Sequence, residues 1–153
     1  MIEQPIYIDK VVSKLDDVLI CSYDSIKGYK HAAQEVKSLS LKAFFNDQIA
    51  DRSKFARELA ELIKVYGSTP SEEGSLKGKL HRTWMDFKSA VTSGNDDAIL
   101  NECIRGEEHA SQDYDELLKM ELPNDSQIRT LITEHKMQIN QAIQRLKALE
   151  RVS

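Results

Sequence analysis

Little in this sequence can interrupt a helix: glycine occurs 6 times and proline 3 times in 153 residues. That scarcity removes most of the turn chemistry from which many-stranded sheets are built. Cysteine is rarer still, and Cys21 and Cys103 form neither a C-x-x-C pair nor a zinc-ligand spacing. A disulfide framework and a zinc site both drop out, and each cysteine reads as a small apolar packing residue. The net charge of −4 carries no basic block. Neither a nucleic acid nor an anionic lipid surface is therefore an expected partner. The longest uninterrupted apolar run, Val18 to Cys21, falls far short of a membrane span. Met1-Ile2-Glu3-Gln4-Pro5 has no basic cluster leading into an apolar stretch, so no secretory leader is read there and a cytoplasmic location is the expectation.

What the chain does contain is 30% charged and 41% hydrophobic residues, the balance of a helical globular protein. Between a few Gly/Pro/Ser clusters, apolar residues recur every three or four positions, which is the helical period. The first helix is expected over 7–36, with an inward seam of Ile8, Val11, Leu15, Val18, Ser22, Ser25, Tyr29, Ala32 and Val36. Ser38 or Ser40 can cap a second helix over 41–66, whose seam reads Leu41, Phe45, Gln48, Arg52, Phe55, Leu59, Leu62 and Tyr66 before Gly67 stops it. After the linker Ser68 to Ser75, a shorter amphipathic helix is expected over 75–92, marked by Leu76, Leu80, Trp84, Phe87 and Val91. A fourth, over 97–121, shows Leu100, Cys103, Glu107, Ala110, Tyr114, Leu117 and Glu121, and ends before Pro123. Asn124 with Gln127 reads as the capping box of a last helix over 125–150, with Ile128, Ile132, His135, Ile139, Ala142, Leu146 and Leu149 on its seam.

Four long helices with one apolar seam each must bury those seams against one another, so the chain is expected to form a single all-α domain, a four-helix bundle. The connection from Gly67 to Asn95 is long enough to run the length of a bundle about 40 Å tall at 1.5 Å per residue. It can let the second and fourth helices lie parallel; a plain up-and-down bundle with an added helix stays open beside that.

Particular residues add to this reading. They are Asp24-Ser25-Ile26-Lys27-Gly28-Tyr29 with Ala32-Ala33, then Arg52, Phe55 and Glu58-Leu59, then Gly78-x-Leu80-His81-Arg82-x-Trp84-x-Asp86-x-Lys88. Gly94-Asn95-Asp96 with Ile99-Leu100, Glu102, Gly106-Glu107 and Tyr114 complete the set. Together they resemble a bacterial family of ferritin-like four-helix-bundle proteins whose domain is of unknown function. The resemblance covers nearly the whole chain. It implies the ferritin-like fold with the short helix as its crossover, and no established activity.

A ferritin-like bundle raises the question of a carboxylate-bridged iron or manganese pair, which takes a Glu from each of two helices and Glu-x-x-His from each of the others. Three residues before His31, His81, His109 and His135 stand Gly28, Gly78, Gly106 and Ile132, so no histidine carries the motif. No metal or other cofactor is therefore expected. Each long helix does interrupt its seam with polar residues near the middle: Ser22 and Ser25, Gln48 and Arg52, Glu107, and His135. A buried carboxylate and guanidinium are costly unless paired. The expectation is a structural layer in which Glu107 pairs with Arg52, while His135 and the serines satisfy what remains. His31 and His109 lie off the seams, and His81 and Trp84 fall on the crossover helix.

Three functional readings follow. The first is a non-catalytic structural or interaction protein acting through its surface, by self-association or on another protein, with a role in stress physiology by analogy. The second is a metal-binding or oxidase protein holding iron or manganese through Glu107, His135, Glu58 and Asp51, with Glu107 and His135 alternatively an acid/base pair. The third is a small apolar ligand held in the bundle core.

Overall fold

The computed structural model describes residues 6–74, 95–123 and 126–152. Four helices account for nearly all of them: α1 Ile6–Glu35, α2 Leu39–Val65, α3 Asp96–Lys119 and α4 Ser126–Val152. Their ends are set by local chemistry. Of the two serines that could cap α2, Ser38 does so, its side chain accepting from the Leu41 N–H at 3.3 Å. At the far end Gly67 takes a φ of 82°, open to glycine at no steric cost. There the Ser68 N–H reaches Ile63 O and the Gly67 N–H reaches Lys64 O, closing the helix as a Schellman motif. Asn95 caps α3 by accepting from the Asp97 N–H at 2.8 Å, and Asp96 and Asp97 place negative charge in its first turn.

Helix directions follow from which residues meet. Lys14 near the start of α1 reaches Asp113 and Glu116 near the end of α3, while Asp96 at the start of α3 accepts from the Lys37 and Ser38 N–H groups just past the end of α1. The two helices are therefore antiparallel. Likewise Phe44 and Phe45 of α2 share a core cluster with Ala142 and Leu146 of α4, and Leu59 and Ile63 share the other cluster with Ile128 and Ile132. With α1 and α2 joined by a short turn, α2 and α3 must run parallel, and the connection between them has to travel from one end of the bundle to the other. This excludes the simple up-and-down alternative. The connection's first stretch already turns back along α1: Asp16 accepts from the Ser71 N–H at 2.8 Å and from its hydroxyl at 2.5 Å, and the Tyr23 hydroxyl donates to Ser71 O at 3.4 Å. The expected crossover helix over 75–92, with His81 and Trp84, lies outside the described residues, as does Asn124 of the expected capping box.

The core is built from the seams, with four departures. Ile63 rather than Leu62 is fully buried on α2, because at about 100° per residue it stands closer to the line through Leu41, Arg52 and Leu59. Tyr66, past the helix end, is only half-buried. Glu121 is exposed because α3 has already ended, and Leu149 is half-buried, packed against the edge of the cluster that holds Leu146. Among the described residues, nineteen buried ones pack at one end and twelve at the other. The polar interruptions lie where the two clusters meet.

Candidate functional site

Arg52 and Glu107 occupy seam positions on α2 and α3, so helix geometry alone turns both into the core. They are 2% and 0% exposed, and Arg52 Nη2 donates to Glu107 Oε2. The guanidinium carbon lies 4.7 Å from the centre of the Phe55 ring, one turn along α2, a cation–π contact. Burial is the largest single influence on the pKa of Arg52 and works to lower it, but the Glu107 carboxylate, with the Tyr29 and Tyr114 phenols, outweighs it and the net direction is upward. The core thus holds a permanent cation. Tyr29 of α1 stands beside the pair, its phenol pushed well above the ordinary range by burial and then by the negative charge of Glu107.

His135 of α4 forms a second assembly. Its ring stacks on Phe55 with centroids 3.9 Å apart and planes 9° from parallel, and it meets Tyr114 edge-on at 5.7 Å. The Tyr114 hydroxyl lies 2.9 Å from Nδ1, and Nε2 lies 3.1 Å from Glu58 Oε1. Burial pushes the Tyr114 phenol up, so it keeps its proton and donates to Nδ1. The imidazole then carries its own proton on Nε2 and donates to the carboxylate, which fixes the tautomer by hydrogen bonding at both ends. Burial lowers the His135 pKa to about 4, against the opposing pull of Glu58. At neutral pH the ring is uncharged. The result is a short hydrogen-bond chain from a carboxylate at the bundle surface, Glu58, to a fully buried phenol.

The expected single layer is therefore divided. His135 spends both ring nitrogens on Tyr114 and Glu58, and neither on the Arg52–Glu107 pair. The two serines do not serve the pair either: Ser22 and Ser25 donate to the carbonyls of Val18 and Cys21 in the preceding turn, at 3.1 and 2.9 Å, as serine in a helix readily does. Gln48 is buried one turn before Arg52. Phe55 is what joins the halves, with Arg52 and His135 both against its ring.

The alternative metal set fares no better as geometry. Of Asp51, Glu58, Glu107 and His135, the structure brings together only Glu58 and His135, and Glu107 is bonded to a guanidinium. Among the described residues no three His, Cys, Asp or Glu side chains converge as metal ligands do. An iron or manganese pair does not fit these residues, since the fixed charge of Arg52 opposes a second cation in the same space. A Glu107/His135 acid/base pair is not assembled. Cys103 is fully buried and its thiol is pushed well up by burial and then by Glu107, which does not ready it as a nucleophile.

Three buried acids escape sequence reasoning. Asp113 accepts from the Cys21 thiol at 3.3 Å and pairs with Lys14 at 3.4 Å, with His109 Nδ1 at 3.7 Å; Asp16 holds Ser71; Glu102 pairs with Arg105. Each sits at the edge of a seam, where an acidic residue has no pattern to distinguish it from the solvated face. The sequence places Glu108 and His109 outward, and both are exposed.

The model of a family described as a domain of unknown function (DUF2383) matches residues 10–120, and the chain belongs to that family. The matched span holds Arg52, Phe55, Glu58, Glu107 and Tyr114, and stops short of His135. No curated protein matches the chain.

Proposed function

Starting from a family to which no activity is assigned, we propose that this chain is a non-catalytic bundle of the ferritin-like class, acting through its surface by self-association or on another protein. The observation that carries the proposal is the buried ion pair. Arg52 brings a fixed positive charge into the buried layer and is bonded to Glu107, which supports this reading because that charge opposes a metal pair beside the same carboxylate. The α2–α3 parallel arrangement with one long crossover supports the ferritin-like class. A buried ionic pair in such a bundle disfavours other registers, because any slip leaves a charge without its partner. No helix among the described residues is long and apolar enough to cross a membrane. A cytoplasmic, bacterial protein with a role in stress physiology is the form this reading takes, the last by analogy of scaffold alone.

The test is elemental analysis after dialysis, beside a ferrous oxidation assay and sedimentation velocity. The expected outcome is no stoichiometric iron or manganese and no oxidase activity. One or two tightly held ions per chain, lost in Glu107→Gln, would overturn the reading and restore the metalloprotein alternative.

A further inference from the structure

We propose that the Arg52–Glu107 pair is a binding site for internal water. Only one of the guanidinium nitrogens, Nη2, has a protein acceptor in this pair. Among the described residues Arg52 Nε, Arg52 Nη1 and Glu107 Oε1 have no hydrogen-bond partner, and all three are shielded from bulk solvent. A buried polar group left unmet costs roughly 1–3 kcal/mol, and more when it is charged. Three such groups in one ion pair would outweigh the attraction that holds it. Native interiors resolve this conflict with ordered water wherever protein atoms do not reach.

The chemistry of the open atoms selects the ligand. Two of them, the guanidinium nitrogens, are donors and require an acceptor; the third, a carboxylate oxygen, requires a donor. An anion would face Glu107 and a cation would face Arg52, so the occupant is neutral and must both donate and accept. Water meets all of these conditions and is the smallest molecule that does. The Tyr29 hydroxyl, beside Glu107, supplies a further polar neighbour. A buried water needs two to four such partners, and this corner of the layer provides them. Because the atoms are closed off from solvent, exchange requires the bundle to open, on a time scale of about microseconds or longer. The His135 assembly provides the internal contrast: both its nitrogens are satisfied by protein, so neither calls for a water. The inference stands apart from the functional proposal, since a hydrated ion pair serves a scaffold and an enzyme equally.

Two measurements on the intact chain test it. A crystal structure at near-atomic resolution should show at least one ordered water bridging Arg52 Nε or Nη1 to Glu107 Oε1. Oxygen-17 relaxation dispersion should count at least one more long-lived water in the wild type than in an Arg52→Met/Glu107→Leu double variant, which removes the donors and the acceptor together. Should the double variant fail to fold, the wild-type crystal structure decides alone. A direct two-point bridge between the guanidinium and both carboxylate oxygens, a bound ion in place of water, or equal dispersion in the two proteins would each overturn the proposal.

Discussion

The two halves of the mid-bundle layer solve the same problem in opposite ways. Arg52 and Glu107 enter the core as full charges and are joined by a single hydrogen bond between one nitrogen and one oxygen, whereas His135 enters as a neutral ring and has a partner on each nitrogen. The first is costly if either member is lost; the second is costly if its charge changes. Burial explains both, because a low-dielectric interior penalises an unpaired charge and an unwanted proton alike. The contrast also separates their contacts with solvent: the ion pair is sealed at 2% and 0% exposure, while the imidazole chain ends on a half-exposed carboxylate.

The largest effect should come from breaking the ion pair on one side. Glu107→Ala and Arg52→Ala should each lower the unfolding free energy by about 3 kcal/mol or more in denaturant melts, because the remaining charge stays buried alone. The Arg52→Met/Glu107→Leu double variant should lose much less than the two single changes summed. Shifts below about 0.5 kcal/mol in both single variants, the scale of ordinary surface substitutions, would show that the pair is not buried as described.

Acid should act on the other half. His135 binds its proton less readily folded, at about 4, than unfolded, at 6.5, so the unfolded chain takes up the proton first as pH falls. Its contribution is fully present above 6.5 and is lost between there and about 4, amounting to about 3 kcal/mol at most. His135→Gln should flatten the stability profile across that window. An unchanged slope would mean that the ring titrates normally, and a histidine titration followed by NMR would say so directly.

Two smaller changes sharpen the account of the chain. Tyr114→Phe keeps the ring packing and removes the donor to Nδ1, which should cost about 1 kcal/mol and let the imidazole change tautomer. Nitrogen-15 shifts of the His135 ring report that exchange, and a ring still protonated on Nε2 alone would show that Glu58 suffices to hold it. Glu58→Gln should cost least, about 0.5 kcal/mol, because its carboxylate is partly solvated. It should move the His135 pKa further down, since it removes the one partner that raises it. An upward shift would reverse the assignment.

The bundle itself was legible because its causes are local. A seam recurring every three or four residues makes a helix with one buried face wherever it falls, and Ser38, Gly67 and Asn95 end their helices by bonding to backbone within five residues. Residue type and position were also enough to mark Arg52, Glu107 and His135 as inward, since a seam position points inward whatever side chain occupies it. Ile63, and not the expected Leu62, lies on the buried line of α2 by the same local rule, since at about 100° per residue it stands closer to Leu41, Arg52 and Leu59.

Partnership was not legible in the same way. That His135 bonds Tyr114 and Glu58 rather than Glu107 depends on the relative height of three helices, to within the few ångströms that separate a hydrogen bond from none. Asp16 and Asp113, at the seam edges, became buried only because Ser71 folded back on one and Cys21 and Lys14 closed over the other. The sequence by itself determined the helices, their inward faces and the polar character of the middle layer, because these depend on residues within a turn or two of each other. Only the tertiary structure decided that α2 and α3 run parallel, which atoms of Arg52 and Glu107 meet, and that the imidazole stays neutral, because each of these requires side chains far apart in the chain to arrive at the same depth in the core.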